Sequence, residues 1–175
     1  DESIVFNGTG AKKNNYLINL LLKLEKEGSE TNGDYAKSPE AYHQSIESYI
    51  SKNCRDLESF LKINTNSDLF KKVALSSIKY HYFTRKELYP FRHFGVNSFS
   101  NFKKLPSSFY EFRKEIVYND IDLKDFYPYY NFLFPHINNL AIEQLTTSNK
   151  EFNLDKHKLD YTTRKLQLID SLVTN

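Results

Sequence analysis

A chain of 175 residues is long enough for one domain with a single sizeable core. Its net charge of +2 gives no basis for a nucleic-acid partner, because such proteins carry a stronger basic bias. One cysteine excludes an internal disulfide framework and any CxxC pair, and no apolar run approaches the roughly 18 residues that span a bilayer. The 14 Phe and 13 Tyr, with no Trp, mean that rings must fill much of the interior. Five Gly and five Pro are few, which disfavours a turn-rich β fold and suits long helices. Methionine is absent altogether, so the sequence reads as an excised piece of a longer protein.

Residues 3–7 (SIVFN) form a short apolar run that predicts a strand-like segment. A lone strand leaves its backbone groups without partners, so residues 1–10 are either the end of an upstream β-rich domain or an extended arm laid on helices. Helical periodicity begins at Ala11, with Tyr16, Leu17, Leu20, Leu21 and Leu24 as a stripe and Gly28 as its stop. Ser38-Pro39-Glu40 is a hydroxyl cap, a first-turn proline and a first-turn acid, and the helix it starts should run to Ile63. Ser67 caps a third helix carrying Leu69, Phe70, Val73, Ala74, Ile78, Phe83 and Leu88, with Pro90 as its expected end. Residues 91–104 read as an aromatic loop.

The stretch around which the chain is expected to be built is 105–141. A proline-led helix should be followed by an acidic turn and a second, ring-rich helix, with Phe109, Phe112, Ile116, Phe126, Tyr130, Leu133 and Ile137 turned inward. Residues 146–153 are polar and loop-like. A last helix over 154–172 should bury Leu159, Leu166, Ile169 and Leu172. The expected fold is an all-α bundle of five to six helices over residues 11–175, with a short strand-like N-terminal segment.

The patterns that resemble chemistry are incomplete. Gly8-Thr9-Gly10-Ala11 opens like a dinucleotide fingerprint, but Lys13 stands where its third glycine belongs, so a turn feeding a helix is the better reading. Cys54 sits at core spacing from Ile50 and Leu57, as a small hydrophobe does. His43, His81, His93, His136 and His157 form no metal-binding spacing and read as surface or hydrogen-bonded residues. Asp120, Asp122 and Asp125 lack the glycine and glutamate of a calcium loop and read as helix-starting acids. Glu111 and Glu115 share a helix face with Arg113 and Lys114 between them, as on a solvated surface. No catalytic residue, metal or cofactor is assigned. Residues 80–94 (YHYFTRKELYPFRHF) interleave rings and cations, which makes Tyr82, Arg85, Tyr89, Arg92 and His93 candidate contacts for a peptide or small ligand. On that reading, replacing Arg85 and Arg92 by Ala should abolish binding and leave the melting temperature unchanged.

A resemblance adds to this. The run FNGTGAKKNNYL, with Phe6, Gly8, Gly10, Ala11, Asn15 and Tyr16, resembles the start of a helical segment found in exported bacterial TlpA-like thiol-disulfide oxidoreductases of the thioredoxin superfamily. LPSSFYEFRKEI, the acidic turn and YPYYNFL also look like that segment, over roughly residues 6–172. The resemblance implies a helical accessory domain between a β-rich region and a thioredoxin domain, outside the cytoplasm. The membrane would be reached only through a lipid anchor outside this chain. The family's CxxC is missing, so no catalytic residue carries over. The implied partners are the thioredoxin domain of the same parent protein, a protein substrate, or a second copy as a homodimer. A free-standing helical binding module is the alternative.

Overall fold

In the computed structural model, residues 4–95, 101, 104–148 and 152–173 are described. They form five α-helices, α1 (Ala11–Glu30), α2 (Pro39–Ile63), α3 (Asp68–Phe94), α4 (Tyr127–Ser148) and α5 (Lys158–Val173), with 3₁₀ segments at Asn32–Ala36 and Ser107–Glu115. Among the described residues there is no strand, and no helix is long and apolar enough to cross a membrane.

The organising element is α3, about 40 Å long at the usual rise. It packs against α1, α2, α4 and both 3₁₀ segments, while α5 lies on α4. Its start and that of α2 are fixed by side-chain caps: Ser38 Oγ accepts from Ala41 N and Ser67 Oγ from Phe70 N, each at 3.3 Å. Two ring-rich clusters flank it. One joins Leu20, Leu24, Tyr42, Ile46, Leu57, Ile78 and Tyr89. The other joins Phe83, Phe112, Phe132, Leu133 and Ile137. A fully buried ring of this kind contributes about 2 kcal/mol by area.

Several expected boundaries move. Gly28 does not end α1, which runs on to Glu30. A Cβ at Gly28 would meet His81 Cε1 at 3.2 Å, so this glycine lets α1 approach α3 closely. Pro90 does not end α3 either. The helix continues to Phe94 and stops at Gly95, whose φ of 60° belongs to the region that favours glycine and whose N–H donates to Phe91 O. Proline forfeits one backbone bond and does not forbid a last turn held by packing. Residues 107–115 wind as a 3₁₀ segment instead of an α-helix, still burying Phe109 and Phe112. Residues 96–100 and 102–103 of the expected aromatic loop, and 149–151 of the expected polar loop, lie outside the described residues.

Two faces also rotate. In α5, Leu159 and Leu166 are exposed, and Leu168 is buried with Tyr161, Ile169 and Leu172 beside it. On α4, Tyr130 faces outward while Tyr129 takes the buried position, its hydroxyl bonded to Val117 O at 2.9 Å. Residues 4–7 carry no ladder partner. Instead the Asn15 amide takes both main-chain groups of Phe6, at 2.7 and 3.0 Å. Asp120 and Asp122 do not cap α4. They clamp Lys72 of α3, at 2.5 and 2.7 Å.

Candidate binding groove along α3

The stretch 80–94 is one continuous piece of α3, so its side chains radiate to different neighbours. Tyr82 is buried, with its hydroxyl donating to Glu27 and accepting from Asn53 Nδ2. Tyr89 stacks on Tyr42 at 4.2 Å and donates to Lys37 O at 2.7 Å. His93 Nδ1 lies 2.9 Å from Tyr35 O, to which it donates. These three side chains tie α3 to α1, α2 and the intervening segment. Burial, with the Glu27 contact, pushes the Tyr82 hydroxyl well above the ordinary phenol range, and burial does the same to Tyr89.

Arg85 and Arg92 face elsewhere. Both line a groove of about 620 Å³ between α1, α3 and α4, a size at which small ligands are held. Arg85 donates from both terminal nitrogens to Gly28 O and Thr31 O, each at 2.9 Å, and so satisfies carbonyls at the end of α1. Its guanidinium lies 5.0 Å from the Tyr35 ring centroid. Its Nε makes no hydrogen bond among the described residues. Arg92, two turns along the helix, is exposed.

His81, one turn before Arg85, completes the cationic edge in position but not in charge. Burial and the Arg85 charge hold its pKa down to about 4, so the ring is neutral near pH 7. Leu24, Tyr80 and Leu88 give the groove apolar walls, and Tyr127 of α4 forms its rim. The sequence stripe His81, Arg85, Leu88, Arg92 had the periodicity of one helix face. The contributions from Asn32, Tyr35 and Asn131 come from other elements and carry no sequence signal.

The opposite side of α3 holds a closed polar cluster. Glu87 is fully buried and receives Arg113 as a two-pronged fork at 2.8 and 2.7 Å. His136 Nδ1 lies 2.7 Å from the same carboxylate, and Asn139 Nδ2 donates to it at 2.6 Å. Arg113 also bonds Glu143, and the Tyr118 hydroxyl meets His136 Nε2 at 2.8 Å. Burial pushes the Glu87 carboxyl up, but Arg113 and His136 more than offset it, so it stays below the usual carboxylate range. This cluster joins the Ser107–Glu115 segment and α4 to α3.

The remaining candidates sort as follows. Cys54 is half-buried, and burial raises its thiol pKa, which opposes nucleophilic use. Ser108 Oγ is 3.4 Å from His43 Nε2 and Glu47 is 3.7 Å from His43 Nδ1, both longer than a working relay of about 2.6–3.2 Å. Glu47 is committed instead to the buried Lys86, at 3.0 Å. Glu111 and Glu115 make exposed pairs with Lys114 and Lys79. Gly8 and Gly10 form the turn into α1, where Gly10 is the N-cap. Among the described residues, no group of three or more His, Cys, Asp or Glu lies together as metal ligands would. Comparison of the chain with protein-family models, with curated proteins and with solved structures finds no match.

Proposed function

We propose that this chain is a non-catalytic helical accessory domain of an exported thioredoxin-like thiol-disulfide oxidoreductase, serving partner recognition, scaffolding or dimerisation. The observation that carries this reading is how the ionisable side chains are used. Glu87, Arg113, His136 and Glu143 satisfy one another, Lys86 takes Glu47, and Tyr82 takes Glu27. Used this way, these groups join one helix to the next, as a scaffold requires.

One outward face of α4 carries an apolar stripe. Tyr127, Tyr130 and Phe134 project from α4 at three- and four-residue steps, more than half exposed. A neighbouring domain or second copy would cover such a stripe. The N-terminal arm supports the same reading. Ile4 and Val5 are exposed, and Asn15 already pairs with the Phe6 main chain as an adjacent strand would.

The decisive measurement is the coding sequence on either side of the chain. A strand–CxxC–helix pattern after Asn175 is the expected finding, and a stop codon directly after it removes the reading. Dithiothreitol-linked insulin reduction by this chain should equal the protein-free blank.

A second reading, a binding module working through residues 80–94, is favoured by one observation. Among the described residues, the groove is lined by Arg85 and Arg92 against a single acid, Glu25.

A further inference from the structure

We propose that the groove between α1, α3 and α4 binds an extended peptide segment in which acidic and apolar residues are interleaved, with its carboxylates at the Arg92 end. This rests on the second reading above and names the class of partner.

Charge is the first argument. Arg85 is 7% exposed, and its partners are carbonyl oxygens. No carboxylate among the described residues comes within ion-pair distance of it or of Arg92. Carbonyls occupy both terminal nitrogens of Arg85, and a neutral partner does not cancel its charge. A cleft with low-dielectric walls concentrates that potential on whatever enters. Arg92, exposed on the same helix face, supplies the direct contact, and a guanidinium takes a carboxylate by two parallel bonds. His81 is neutral and adds no charge, and Glu25 on the α1 wall opposes only one of the two arginines.

Shape is the second. The groove of about 620 Å³ shares Thr84, Leu88 and Asn131 with a neighbouring apolar opening of about 340 Å³ that contains Phe134, Ile142 and Tyr161. Two openings with a common wall along one helix make a trough, not a bowl. A trough accepts a chain threaded along it, with alternate side chains directed into the apolar floor.

The third argument is a means of holding main chain. Asn32 stands on one wall and Asn131 on the other, and neither side-chain amide is bonded within the described residues. Elsewhere this protein shows what such an amide does. Asn15 accepts from Phe6 N and donates to Phe6 O, clasping one extended residue with a single side chain. Asn131 can clasp an incoming peptide in the same way, while Arg92 reads its charge.

The test is fluorescence polarisation with the full chain and a short, fluorescein-labelled, C-terminally amidated peptide of alternating leucine and glutamate. A leucine–lysine peptide is the comparator, and octanoate is titrated separately by calorimetry. The leucine–glutamate peptide should bind saturably and the lysine peptide should not. Arg92→Glu should weaken binding at least tenfold, and Asn131→Ala about threefold, with unfolding midpoints unchanged. Raising salt should weaken the wild-type interaction. Equal binding of both peptides, or full affinity in Arg92→Glu, overturns the proposal. Saturation by octanoate without peptide binding also overturns it while leaving a binding module in place. Silence from both probes removes the module reading as well.

Discussion

Arg85 and Glu87 stand two positions apart on α3, both at least nine-tenths buried, and the helix uses them in opposite ways. Glu87 meets a guanidinium, an imidazole and an amide, so its charge is consumed inside the fold. Arg85 meets carbonyls at its two terminal nitrogens, so its charge is left to act on the groove. A buried ion therefore says little until its partners are known. One that is neutralised joins elements, and one that is merely solvated by backbone still projects a field.

The largest effect should come from breaking the neutralised side. Arg113→Ala leaves Glu87 without its main counter-charge in the interior and should cost about 3–5 kcal/mol in urea unfolding. A double replacement, Glu87→Leu with Arg113→Met, removes the orphaned charge and should recover most of that loss. If the single variant costs under about 1 kcal/mol, the cluster does not hold α4 to α3 as described.

Arg85→Ala comes next, at about 2–3 kcal/mol, since it strands Gly28 O and Thr31 O at the end of α1. This alters the mutational logic suggested by the sequence. The Arg85/Arg92 double alanine variant will lower the melting temperature whatever it does to binding, so Arg92 alone separates the two.

Third is pH. His81 has a folded pKa of about 4, below the ordinary imidazole value of about 6.5. Between those values the unfolded chain binds more protons than the folded one. Stability is thus complete above about pH 6.5 and falls as pH drops towards 4, by about 3 kcal/mol. The depressed Glu87 carboxyl acts in the same direction at lower pH, where its protonation releases Arg113. Urea titrations at stepped pH should show this slope, and His81→Gln should flatten its upper part. An unchanged slope would assign the loss to other groups.

The smallest effect on stability belongs to Arg92→Glu, within about 0.5 kcal/mol of wild type, as for an exposed side chain without an ion pair. A larger loss would make Arg92 part of the fold and blur the contrast with Arg85.

Local rules made much of this helical bundle legible. The caps at Ser38 and Ser67 and the apolar stripe of α1 gave the right helices because they depend on residues within one or two turns. Gly28 and Pro90 misled for a shared reason: each was read as a local terminator, whereas packing across helices governs both. The same applies to Tyr129 and Tyr130, where neighbouring rings are equivalent until the Val117 carbonyl selects one. The closed polar cluster was not visible at all. Positions 87, 113, 136, 139 and 143 are scattered along the chain, and a polar residue on an amphipathic pattern reads as surface. In the groove, the α3 edge was foreseeable from periodicity, while Asn131 and Tyr35 arrive through tertiary folding.

Gly28 acts as a spacer of zero thickness between two helical rods. Because its absent methyl group would press on His81 while its own carbonyl receives Arg85, a single hydrogen atom gauges the calibre of the channel beside it. An alanine there would oblige the His81 side chain to give by a few tenths of an ångström at the point where the channel begins. This one position therefore acts on the channel through the His81 and Arg85 side chains that line it.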